Sequence, residues 1–188
     1  MMKKIIAVIF VLAMVSGEAF AFKSLGHQTI AALAQRHLTD KAKTEVQNIL
    51  KSDMSKHAMW LYSLRKRADL AYVQEWQYTM LNAEGKSVTT DANDGIVALE
   101  SAVKVLRNHK SESDSLVLAS LRTVIQIVGD IHNPSNIRIE GNEATKGFKF
   151  TLVSRKTRSE MLWRNMWHNY ANRHDVFSAD YYATDVDI

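Results

Sequence analysis

No cysteine occurs in the 188 residues, and proline occurs once, at Pro134. An exported chain of this kind draws nothing from covalent bridges, so a packed core or a bound metal must hold it together. Cysteine-based zinc sites and thiol nucleophiles are excluded with the same stroke. Glycine is sparse at seven residues, and no Gly-x-Gly phosphate loop, internal repeat or low-complexity linker is found. Long apolar runs are missing too. The one uninterrupted run, Ile5 to Val15, has eleven residues, short of the ~20 that a membrane span needs. Lys3 and Lys4 precede that run, and small and polar residues ending in Ala19-Phe20-Ala21 follow it. This order reads as a secretory signal peptide over 1–21, cleaved after Ala21, with a periplasmic or secreted product and no stable membrane span.

What is present suits one ordinary globular domain over 22–188. The apolar fraction is 46%. The net charge of +4 falls to +3 once Lys3, Lys4 and Glu18 leave with the leader; it permits an anionic partner without demanding one. Helical spacing dominates. Residues 28–38 place Ile30, Leu33, Ala34 and Leu38 on one face, and Thr39 reads as the N-cap of a second helix carrying Val46, Ile49 and Leu50. Further helices are expected over His57–Leu70, Gly95–Asn108, Leu116–Val128 and Arg158–Arg173. Residues 72–90 read as mixed, 140–147 as a polar loop, and Lys149–Val153 as a short extended piece. The expected fold class is all-α, a single mainly helical domain.

Candidate ligands are scattered: His27, Asp130, His132 and His168. A metal site needs deprotonated donors converging from several elements. Asp130 and His132, two residues apart, point away from each other on a regular helix. Spacing alone establishes no site. The Arg65-Lys66-Arg67 run reads as a solvated helix face rather than a nucleic-acid footprint.

The motifs, taken in order, carry more. Phe22-x-x-x-Gly26-His27 resembles a W-G-x-x-G-H start, and Leu38-Thr39-Asp40-Lys41-Ala42 resembles L-T-P-x-A. Trp60-Leu61-Tyr62 falls where W-A-D is expected, and Trp76-Gln77-Tyr78 where W-H-Y is expected. Gln126 to Asn136, QIVGDIHNPSN, resembles H-F-V-G-D-I-H-Q-P-L-H; Gly141-Asn142 resembles part of G-G-N, and Trp163 to His168 sits where L-H-x-x-W-D belongs. The series resembles the zinc-dependent single-strand-specific nucleases of the P-one/S-one and mung-bean type, whose fold is related to zinc-dependent phospholipase C.

That resemblance implies three zinc ions held by nine groups. Three groups match: the free α-amine and carbonyl of Phe22 count as one matching residue, and His27 and Asp130 complete a set around a single zinc. His168 stands in place of an aspartate and retains a donor. Tyr62, Gln77, Gln126, Asn136 and Arg164 replace the remaining ligands. Amide oxygens are weak zinc donors, and a guanidinium neither deprotonates nor tolerates a cation beside it. Multi-zinc phosphodiester cleavage needs neighbouring ions that generate hydroxide and neutralise both oxyanions. The expectation is therefore an exported, largely non-catalytic binding or structural module with at most one zinc. The alternative is a phosphodiester hydrolase on single-stranded nucleic acid with a reduced metal complement, in which Asp130 is the catalytic candidate and Arg164 holds phosphate. His132 is expected as a supporting residue; the sequence names no partner and is compatible with a nucleic acid or another phosphate-containing ligand.

Overall fold

The helix Asp114–Ile131 organises the chain, because it buries residues on more than one side. The computed structural model describes residues 21–64, 66–141, 149–153 and 158–162, and gives only the backbone at 21–23, 150, 152–153 and 158–162. Five α-helices lie within these residues: α1 (Ala21–Arg36), α2 (Asp40–Leu50), α3 (Trp60–Leu64), α4 (Gly95–Arg107) and α5 (Asp114–Ile131). Two short sheets accompany them. β1 (Thr79–Leu81) pairs in parallel with β2 (Ile137–Ile139), and β3 (Lys149–Val153) pairs antiparallel with β4 (Arg158–Leu162). The architecture is mainly helical, as expected.

Ser113 caps α5 by accepting the Leu116 N–H. Along the helix, Leu121 and Ile125, one turn apart, pack with Ala31 of α1, Leu50 of α2, Met54 and Ala58. Ile127 faces a second cluster with Leu61 of α3, Val73 and Ala98 of α4. Small residues at Ala31, Ala58 and Ala98 let the neighbouring backbones come close to α5. A helix flanked in this way is apolar over most of its surface, which is why its sequence reads so strongly.

The N-cap at Thr39 is present, its hydroxyl accepting the Ala42 N–H at 3.3 Å. Lys51 ends α2 in the left-handed region at φ 57° and donates its N–H to the Gln47 carbonyl. The helix expected over His57–Leu70 is broken instead into a 3₁₀ turn (Met54–His57), the single turn of α3, and a kinked 3₁₀ segment (Ala68–Gln77) with Leu70 at φ −120°. The spacing of Trp60, Leu61 and Leu64 carries one turn, and Lys66 to Asp69 after it are exposed. Lys66 and Arg67 lie exposed in the following turn rather than on a helix face, and Arg67 pairs with Asp69 at 2.7 Å. The helix expected from Arg158 is corrected likewise. Residues 158–162 are β4, paired with Lys149–Val153, whose extended reading stands. Five residues are too few to separate a helical from an extended period, and the partner strand decides. Residues 1–20 of the leader expected over 1–21, residues 142–147 of the loop expected over 140–147, and residues 163–173 of the last expected helix lie outside the described residues.

Asp94 fastens the first sheet to α4. It caps α4 by accepting the Ile96 N–H at 2.8 Å, and it also accepts the Thr79 hydroxyl at 3.0 Å and the Met80 N–H at 3.1 Å. Gly95 fits beneath, where a Cβ would lie 2.4 Å from the Trp76 carbonyl oxygen.

Candidate metal centre

α1 crosses α5 close to its C-terminal end, and Gly129 permits the approach. A Cβ there would fall 2.6 Å from Cδ2 of His27. The imidazole therefore lies against the helix backbone, and its Nε2 reaches Oδ1 of Asp130 at 3.1 Å. Both groups are buried, His27 at 5% exposure and Asp130 at 3%.

The end of α5 completes the corner. His132 closes the helix with its N–H on the Val128 carbonyl, and its ring Nδ1 donates to the same oxygen at 2.7 Å. Pro134, which has no N–H, opens a 3₁₀ turn, and Asn133 accepts the Ser135 N–H and hydroxyl. That turn folds Asn136 back. Its amide Nδ2 donates to the Asp130 carbonyl at 2.9 Å and lies 3.4 Å from Asp130 Oδ1. Asn136 thus gives the Asp130 carbonyl a second donor beside the Asn133 N–H and turns an N–H toward the carboxylate.

Four residues back along α5 is Gln126, 2% exposed. Its amide oxygen accepts the Leu61 N–H, one of the first-turn donors of α3 that has no partner within its own helix. Gln126, Tyr62, Gln77 and Asp130 line one small cavity of about 10 Å³, room for roughly one water molecule. The structure thus brings together four of the positions singled out in the sequence and sets Asn136 beside them. Gln77 anchors its side chain through Nε2, which donates to the Gln74 carbonyl at 2.8 Å. Phe22 lies in the first turn of α1, five residues ahead of His27. Arg164 and His168 lie outside the described residues.

The chain as a whole matches a known family. The profile described as S1/P1 Nuclease matches residues 22–186. This chain belongs to the S1/P1 nuclease family. It is also 25% identical over 180 residues to Nuclease S1 of Aspergillus oryzae (strain ATCC 42149 / RIB 40), covering 87% of this chain but 61% of that protein. S1/P1 nucleases are secreted and zinc-dependent as a family. Among the described residues, no helix is long and apolar enough to cross a membrane.

The donors can be tested against zinc directly. A tetrahedral ion with bonds of ~2.0–2.1 Å sets neighbouring donor atoms about 3.3 Å apart. His27 Nε2 and Asp130 Oδ1, at 3.1 Å, fit that spacing with little movement. The other corner does not fit: Gln126 has committed its oxygen to a peptide N–H, and the amide oxygen of Gln77 is a weak zinc donor. Among the described residues no cluster of three or more His, Asp or Glu side chains converges.

One arrangement outside the site has the look of a nucleophile and is not one. Ser52 Oγ lies 2.8 Å from His57 Nε2, and Arg122 Nε donates to His57 Nδ1 at 3.0 Å. The arginine occupies the ring's lone pair at Nδ1, so Nε2 carries the proton and faces the serine as a donor. A base for the Ser52 hydroxyl needs the opposite tautomer. Sequence reading missed this chain, which joins three separate segments, and it missed the Gln126–Leu61 bond; the i, i+4 spacing of Gln126 and Asp130 was the one available signal of a shared face.

Proposed function

We propose that this chain is an exported S1/P1 family member that no longer cleaves nucleic acid and serves as a binding or structural module, retaining at most one zinc. The leader over 1–21 is removed after Ala21, and the domain over 22–188 begins with the free amine of Phe22. That amine, the Phe22 carbonyl, His27 and Asp130 hold the ion. When bound, zinc supplies a Lewis acid at a buried corner, and His27 and Asp130 supply its imidazole and carboxylate donors. Asn136 orients the Asp130 carboxylate.

One observation carries this reading: the buried Gln126 amide accepts a backbone N–H where the family's pattern has a metal-binding histidine. A phosphodiester bond gives way in this family through cooperating ions, and the residues around the Tyr62–Gln77–Gln126 cavity offer no such set. Single-stranded DNA and RNA incubated with the purified chain and added zinc test it. Cleavage at or below that of an Asp130→Asn control is expected. Robust cleavage that Asp130→Asn abolishes would restore a hydrolase with a reduced metal complement. N-terminal sequencing of the exported protein checks the start, and any first residue other than Phe22 removes the amine from the ligand set.

A further inference from the structure

A second cavity, about 240 Å³, opens between the end of the 3₁₀ segment, β1, the loop before α4, and β2. It shares no lining residue with the cavity beside Asp130. Arg138 comes to it from β2, where it stands opposite Met80 of β1. Its guanidinium carbon lies 4.2 Å from the centroid of the Tyr78 ring, so the aromatic face fixes the plane of the group.

The stacking leaves the donors unanswered. Nε and Nη2 of Arg138 are buried, and neither has a hydrogen-bond acceptor among the described residues. Glu75 Oε2 stands 3.6 Å from Nη2, within ion-pair range and outside hydrogen-bond reach. Nε–H and an Nη–H along one edge of a guanidinium match the two oxygens of a carboxylate or phosphate. The other walls are acidic: Asp94 is held in place by its three bonds to α4 and β1, and Asp91 lies beside it. At about 240 Å³ the space is below the roughly 300–1,000 Å³ typical of sites for drug-sized ligands. A cation edge, an acidic far wall and a small volume define a small ligand with charge of both signs.

We propose that this cavity binds a small zwitterion, its oxyanion on the Nε/Nη2 edge of Arg138 and its ammonium group toward Asp91 and Asp94. Glu75 is the internal competitor. Its side chain is 53% exposed and can turn into solvent; the ligand reaches the two buried donors when Glu75 leaves Nη2 and the guanidinium swings toward the cavity.

Calorimetry on the full chain, with the Arg138 Nε–Hε resonance followed in parallel, tests this with three probes of matched length. They are 4-aminobutyrate, 3-aminopropylphosphonate and, lacking the oxyanion, propylamine. Saturable binding of at least one zwitterion with a shift at Arg138 Nε–Hε is expected, and propylamine should bind at least tenfold more weakly. The tighter of the two zwitterions assigns the oxyanion as carboxylate or phosphate. Arg138→Lys keeps the charge and loses the fork, so affinity should drop tenfold or more while the circular dichroism is unchanged. Glu75→Gln removes the competitor and should tighten binding threefold or more. Equal affinity in Arg138→Lys overturns the site, and so does propylamine binding as tightly as the zwitterions. Failure of both zwitterions to saturate wild type and Glu75→Gln alike would make Glu75 simply the arginine's own partner.

Discussion

Gln126 and Asp130 stand one turn apart on α5, almost equally buried, yet they meet different kinds of partner. Asp130 meets the imidazole of His27, an ionisable donor that can exchange its proton for a metal. Gln126 meets the peptide N–H of Leu61, a neutral and permanent donor. On the proposed reading, the difference separates a ligand position taken over by the scaffold from one that keeps its donors. A histidine buried there without a metal needs partners for both ring nitrogens, and an unanswered one is costly. A glutamine is neutral and long enough to reach the backbone of α3, so the position becomes part of the scaffold. At the other corner the ionisable pair stands, and the Asn136 amide touches it through the long contact of Nδ2 with Asp130 Oδ1.

The comparison breaks most completely at the crossing of α1 and α5. Gly129→Val places branched carbons where a Cβ already meets the His27 ring at 2.6 Å, and it should cost about 3 kcal/mol in urea unfolding. A cost below ~0.5 kcal/mol would mean that the ring moves aside freely and that the pair is not held by the backbone. Next comes the scaffold side. Gln126→Leu strands the Leu61 N–H beneath a side chain of similar size and should cost about 2 kcal/mol. Gln77→Leu sharpens the contrast, because among the described residues Gln77 bonds to a carbonyl three residues away and to nothing else; its expected cost is about 0.5 kcal/mol or less. Equal costs for the two glutamines would contradict the division between a structural amide and a spare one.

The smallest effect expected lies outside both corners. Burial first, then the charge of Arg122, and last that of Lys56 lower the His57 pKa below its ordinary 6.5, against a raising hydrogen bond that the ring donates to the Leu50 carbonyl. The folded protein therefore binds this proton less readily than the unfolded chain does. The His57 contribution to stability is whole above pH 6.5 and is lost as pH falls below it toward the folded value. Thermal melts at pH 8 and pH 5 should show a lower Tm in acid, and His57→Asn should narrow that gap. A gap unchanged in His57→Asn would assign the acid sensitivity elsewhere.

Periodicity was enough for the long elements and failed for the short ones, for a physical reason. α4 and α5 bury residues over many turns, so their spacing repeats often enough to be read. α3 buries only Leu61, and its end is set by a glutamine 65 residues away, a contact that no local pattern encodes. The ordered motifs located Tyr62, Gln77, Gln126, Asp130 and Asn136, and the fold does gather them. What each side chain does there was illegible, because the same amide serves as a poor ligand or a good hydrogen-bonding group according to what it faces. The Arg138 edge was hidden for a similar reason: no motif or period marks Arg138, and only the pairing of β2 with β1 sets it over Tyr78.

The contrast between the two corners is a statement about how many ions the domain can hold, and elemental analysis measures that number. Correctly processed protein, equilibrated with zinc and then freed of excess, should carry no more than one equivalent per chain. That equivalent should vanish in His27→Ala with the helical signal kept, and it should weaken as pH falls and protons return to the amine and imidazole. Two or three equivalents per chain, or zinc that survives His27→Ala undiminished, would contradict the account and return the Tyr62–Gln77–Gln126 corner to metal binding.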